Sequence, residues 1–235
     1  MKKKMMIGII AALTVVSLGG CSLFGSDSYS EDGLRFKEEY AELNGEIHER
    51  TGRPFQEVLI SEDNPIQYAT AEEIIDLIEN GTGVIYFGFP QCPWCRTAVP
   101  ALLEAAEIAG IETILYLNMT YERDIRVIDE DGDIIIEREG TAGYQRIQAL
   151  LYEYLMPYIL TDEDGNEVDT GERRIYVPFV VVIRNGQVVG HHFYTLPIQD
   201  EDPFMVFNES QHQELRDIYI NIFNLLDACD LGGGC

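Results

Sequence analysis

The sequence predicts an α/β protein, a central mixed sheet flanked by helices, and three stretches carry that expectation. From Arg53 onward short apolar runs alternate with helical periodicity, a βαβ rhythm. Val84 to Phe89 is a nearly continuous β-branched and aromatic run, as expected of a strand covered on both faces. Ile175 to Ile183 and Gln187 to Val189 flank Asn185-Gly186, a strong hairpin signal that adds antiparallel strands.

The elements follow in order. Lys2, Lys3 and Lys4 precede an apolar run from Met5 to Leu18, too short for a comfortable membrane span and sized for a cleaved signal peptide over residues 1–20. Leu18-Gly19-Gly20-Cys21 resembles the bacterial lipobox, in which the cysteine is acylated and becomes the new N-terminus. Residues 21–51 then read as a lipidated tether and an N-terminal helix, the small polar stretch Ser22 to Gly33 leading to Phe36, Tyr40 and Leu43 at helical spacing. Multiple acyl chains would make the membrane attachment stable and place the chain outside the cytoplasm, where disulfides persist.

Residues 52–228 read as the main domain. Glu57 to Ile60 and Ile66 to Ala69 are strand candidates. Thr70 and Glu73 form a capping box for a helix that ends at Asn80-Gly81. Residues 95–109 read as a long helix containing Pro100 and closed by Gly110, followed by a strand from Thr113 to Leu117. Asp131-Gly132 separates Ile125 to Ile128 from Ile134 to Ile136, Tyr144 to Leu155 is apolar at helical spacing, and Asp164-Gly165 marks a further polar turn. Asn208 and Gln211 open a last amphipathic helix through Leu226.

The chemistry concentrates at Cys92-Pro93-Trp94-Cys95, where the strand Val84 to Phe89 gives way to a helix. This order puts Cys92 at a helix N-terminus, whose unpaired amides and dipole favour a thiolate. Pro93 suits the first turn because its missing N–H has no partner to lose there. Thiols so placed have pKa values of roughly 3.5 to 7.5 instead of about 8.5. Cys92 is therefore the expected exposed nucleophile, and Cys95 the sheltered thiol that resolves its mixed disulfide. Taken alone, C-x-x-C also fits half of a zinc site or a structural bridge.

The segment resembles the thioredoxin superfamily, whose active-site helix carries a proline five residues after the second cysteine, as Pro100 follows Cys95. Val177-Pro178, entering the strand before Asn185-Gly186, is similar to that family's cis-proline loop, in which the residue before the proline, here Val177, pairs with substrate backbone. The resemblance covers roughly Gly52 to Leu226 and implies a thioredoxin-like fold with an insertion of about residues 122–172 before the cis-proline hairpin. It departs at Tyr86, which stands where thioredoxins hold a buried acid, and leaves the proton acceptor for Cys95 unassigned. The implied activity is protein thiol-disulfide oxidoreduction, with thiol- or disulfide-bearing client proteins and a membrane redox partner, and without a cofactor or metal. The alternative is a surface-exposed binding lipoprotein in which Cys92 and Cys95 form a permanent bridge on the same scaffold.

Cys229 and Cys235 bracket a Gly-rich tail at residues 229–235, open to three readings: a small structural disulfide, a second redox pair, or part of a four-cysteine zinc site. The acidic turns at Asp129 and Asp162 lack the spacing of an EF-hand. His191 and His192 alternate faces of a strand, so at most one points inward, and Arg96 reads as an exposed helix arginine. With 41 acidic against 16 basic residues the formal charge is −25, which repels phosphate and excludes nucleic acid as a partner.

Overall fold

The computed structural model describes residues 30–226. The expected signal peptide, Cys21, Cys229 and Cys235 lie outside the described residues. Among the described residues no helix is long and apolar enough to cross a membrane.

In chain order the elements are α1 (Glu31–Ala41), β1 (Ile66–Tyr68), α2 (Ala71–Asn80), β2 (Gly83–Gly88), α3 (Pro93–Ala109), β3 (Ile114–Asn118), β4 (Ile125–Ile128), β5 (Ile134–Arg138), α4 (Ala142–Leu150), β6 (Met156–Thr161), β7 (Glu167–Arg174), β8 (Phe179–Arg184), β9 (Gln187–Phe193) and α5 (Glu209–Phe223). The main sheet has five strands in the order β1-β3-β2-β8-β9. β1, β3 and β2 are parallel, and β8 and β9 return antiparallel, so the sheet is mixed. Two separate hairpins, β4–β5 and β6–β7, stand between β3 and β8.

Burial explains the run in β2. Val84 and Tyr86 face a core shared with α1, α3 and α5, while Ile85 and Phe87 face a second core with α2 and α4. Both faces are thus covered, and alternation disappears from the strand's sequence. The helices start as their caps dictate: Thr70 and Asn208 each head a complete capping box, and Cys92 caps α3 with Pro93 behind it. Gly110, at φ 69°, ends α3, and the Ile111 amide donates back to the Ala106 carbonyl. Asn185 and Gly186, at φ 51° and 72°, make the turn between β8 and β9 that requires left-handed backbone at both positions.

Four expectations need correction. Glu57 to Ile60 is extended but joins no sheet, because the Asn44 side chain donates to the Val58 carbonyl and accepts from the Val58 amide, satisfying backbone groups a neighbouring strand would have claimed. The tether expected through Gly33 ends earlier, because the Ser30 hydroxyl accepts from the Gly33 amide and starts α1 at Glu31. That helix packs into the core through Phe36 and Tyr40. The helix expected to run from Tyr144 to Leu155 ends at Leu150, and a single 3-10 turn follows before β6. Arg96 is not exposed: it is 1% accessible, and its guanidinium donates to the carbonyls of Tyr40, Gln56 and Pro90. It ties α3 to the chain around α1 rather than facing the thiols.

Candidate active site

Cys92 and Cys95 are free thiols at the N-terminus of α3. The Cys92 sulfur accepts a hydrogen bond from the Cys95 amide at 3.4 Å, the capping role that Ser or Asp plays elsewhere. Its thiol donates to the Val177 carbonyl at 3.7 Å. The Val177–Pro178 peptide bond is cis, and the Tyr194 amide donates to the Pro178 carbonyl at 2.7 Å. The loop therefore lies over the cysteine, and Cys92 is more covered than expected, at 6% accessible, with Cys95 fully enclosed.

The two thiols are pushed in opposite directions. Burial raises the Cys92 pKa, but hydrogen bonds from the Cys95 thiol and amide, the Arg123 charge and the Trp94 amide outweigh it and bring it below the ordinary thiol value. Burial raises Cys95 well above that value, and the neighbouring Cys92 adds to the rise, while the Phe89 backbone and the Tyr86 hydroxyl oppose it. The pair is thus divided into a thiol that ionises more readily than usual and a partner that holds its proton.

Tyr86 meets Cys95 from the sheet side. Its hydroxyl lies 3.2 Å from that of Tyr40, and burial raises both phenols well above their usual range. Both stay protonated, so Tyr86 can donate a hydrogen bond to a Cys95 thiolate but cannot act as its base. Gly88 makes the arrangement possible: a Cβ there would fall 2.3 Å from the Tyr86 hydroxyl.

In front of Cys92 opens a cleft of about 590 Å³. Trp94 and Val177 border it, Tyr194 closes one side, and Arg123, Tyr158 and Arg174 contribute a wall from the chain between β3 and β8. A larger groove of about 720 Å³ runs beside Pro100, but it holds no cysteine and is lined by Asp63, Glu104, Glu107 and Glu112. Of these two, only the smaller cleft is lined by a thiol, that of Cys92.

The remaining candidates fall elsewhere. His191 packs against Phe179 and Phe193, His192 against Tyr219 on the opposite face, and neither lines the cleft. The Asp129 carboxylate accepts from the amides of Asp131 and Asp133, and that of Asp162 from Asn166, so each closes its own turn. Sequence reasoning missed Arg123, Arg174 and the Tyr40 partner of Tyr86. The available signal was the rarity of cations in so acidic a chain.

The fold and site together define a mixed α/β protein with a buried dithiol at a helix N-terminus, facing an aromatic and cationic cleft. No protein-family model matches the chain, and no curated protein is significantly similar to it.

Proposed function

We propose that this chain is a thioredoxin-like thiol-disulfide oxidoreductase that acts on protein disulfides through Cys92 and Cys95. The observation that carries the reading is the placement of the two free thiols at the start of α3, Cys92 capping the helix through the Cys95 amide and lying 3.7 Å from the Val177 carbonyl of the cis-proline loop. The order β1-β3-β2-β8-β9, with a cis proline ahead of β8, is compatible with a thioredoxin-like sheet. The lysine, apolar and Gly-Gly-Cys21 order of the N-terminus supports a lipid-anchored, extracytoplasmic setting.

In the reducing direction the Cys92 thiolate attacks one sulfur of a client disulfide. The Cys92–client disulfide forms as the client bond breaks, and the first client sulfur leaves as a thiolate. That thiolate takes the Cys95 proton, and Tyr86 supports the new Cys95 anion with its hydroxyl hydrogen. Cys95 then attacks the Cys92 sulfur, releasing the second client thiolate, which takes a solvent proton. The client has gained two electrons, and Cys92 and Cys95 have become a disulfide. Run in reverse the same steps insert a disulfide, and the potential of the couple sets the direction. The Val177 backbone would pair with an extended client chain.

Serine variants test the reading. Cys92→Ser should abolish exchange, whereas Cys95→Ser should accumulate mixed disulfides on Cys92 with clients, visible on non-reducing gels and by mass spectrometry. Equal trapping by both variants, or undiminished turnover by either, would contradict the assigned roles and favour a binding protein with a permanent bridge.

A further inference from the structure

Resting on the oxidoreductase reading, we propose that the cleft selects clients that carry a carboxylate beside the attacked cysteine, with Arg123 as its contact. Among the described residues two arginines of the cleft lining, Arg50 and Arg123, hold no carboxylate, and Arg123 is the more enclosed of the two. Arg35, Arg53, Arg126, Arg146 and Arg216 all hold carboxylates. Arg123 lines the cleft with its guanidinium carbon 4.9 Å from the Phe89 ring centre, and it makes no ion pair or side-chain hydrogen bond among the described residues. Its nitrogens are not among the sealed, unpartnered polar atoms of the protein, so the half-buried guanidinium keeps contact with solvent. In a chain with 41 acidic residues an uncompensated arginine beside the nucleophile marks where a negative group is missing.

The neighbours keep that charge available. Asp124, next in sequence, is occupied by Arg126 at 2.9 Å and faces Arg174 at 3.9 Å. Arg138 donates to the carbonyls of Thr120 and Arg123 at 2.9 and 3.0 Å, which fixes the backbone that presents Arg123. Arg174, its guanidinium 4.0 Å from the Tyr158 ring centre, and Arg50 bring the cleft lining to three arginines against one carboxylate, Asp200. The Tyr158 and Tyr176 hydroxyls are taken by the Arg126 and Ile159 amides, so these residues offer ring surface to a bound chain. The positive charge of Arg123 also reaches the Cys92 sulfur. Arg123 and Cys92 line the same cleft, so a carboxylate that meets Arg123 belongs to the same short stretch of client as the attacked sulfur.

Trp94 is the chain's single tryptophan and lines this cleft, so its fluorescence reports occupancy without turnover. The full chain is titrated with heptapeptides holding a central, unreactive S-methylcysteine flanked on both sides by Glu or by Gln, with calorimetry on the same samples. The Glu peptide should bind about two- to fivefold tighter at low ionic strength, the size of one accessible ion pair, and the gap should close in 1 M salt. Arg123→Gln should erase the gap and Arg123→Lys should retain most of it. Equal affinities in the unaltered chain, or a gap untouched by Arg123→Gln, overturn the proposal. S-methylglutathione carries carboxylates without a flanking chain and should bind more weakly than the Glu peptide; tighter binding would overturn the peptide-client form of the proposal. Disulfide turnover is measured separately. A Glu preference without turnover upholds the anion contact and removes the oxidoreductase reading, and turnover without a preference does the reverse.

Discussion

The hydroxyls of Tyr40 and Tyr86 lie 3.2 Å apart in the core, and the pair ends at Cys95, the thiol with no carboxylate to help it ionise. A hydrogen-bonded phenol is a weaker aid than a base, because it stabilises the anion without accepting the proton. The second half of the exchange cycle should therefore be the slower half.

Tyr86→Phe removes the hydroxyl that faces Cys95 and strands that of Tyr40. The Cys92–client disulfide should live about tenfold longer in single-turnover quench experiments, as expected for a lost hydrogen bond to a charged group of about 1.5 kcal/mol, while the first attack is unchanged. Urea unfolding should show a loss of roughly 1 to 3 kcal/mol from the unpaired Tyr40 hydroxyl. An unaltered resolving rate would dismiss Tyr86 from the cycle. Gly88→Ala is an independent arm, because its Cβ pushes the same ring aside, and it should cost about 1 to 3 kcal/mol as overpacking does.

The lowered Cys92 thiol sets a pH dependence. Alkylation of Cys92 by iodoacetamide should reach half its plateau below the ordinary thiol value of about 8.5, because the reactive thiolate is favoured in the fold. Arg123→Gln removes one of the influences that lower it, so the midpoint should move up. For folding the signs are opposite within the pair. The depressed Cys92 adds stability above the ordinary thiol value that is lost as pH falls through its folded value. The raised Cys95 adds stability that is complete below the ordinary value and lost as pH climbs through its own folded value. A Cys92 midpoint at or above 8.5 would refute the assignment.

Arg96→Met separates a buried clamp from a surface arginine. Three backbone carbonyls lose their donor inside the protein, so urea unfolding should show a loss of at least ~2 kcal/mol. A surface position would register within about 0.5 kcal/mol.

The lipid anchor rests on Cys21. Cys21→Ala should block processing and leave the chain with its leader attached. Mass spectrometry of the native protein finding Met1 in place, or an unmodified Cys21, would remove the anchor from the proposed setting.

What could be read from the residues depended on how local its cause was. The Asn185-Gly186 turn, the capping boxes at Thr70 and Asn208 and the placement of Cys92 ahead of Pro93 each rest on chemistry within about four residues, and the structure bears them out. Glu57 to Ile60 failed because its partner is the side chain of Asn44, fourteen residues from Val58, which no alternation pattern records. Arg96 failed for a related reason: an arginine one residue past the second cysteine looks solvated until the distant carbonyls of Tyr40 and Gln56 join that of Pro90 around it. The thiol pair was legible from its spacing, whereas the Arg123 wall was not, because a cation is seen to be unpaired only once the fold shows which carboxylates lie within its reach.

The wall of the cleft comes from the two hairpins between β3 and β8, whereas the thiols and their phenolic support belong to the main sheet and the helices packed on it. The hairpins lean on each other through Tyr158, which accepts from the Arg126 amide, and through Arg174, which donates to the Asp124 carbonyl, so they share their own fastening. The dithiol and the cationic side of the cleft thus lie on different stretches of chain. On the proposed reading, substitutions within residues 120 to 176 would redraw the clientele while leaving both cysteines in place, and Arg123, whose charge bears on Cys92, is the position where the two would stay linked.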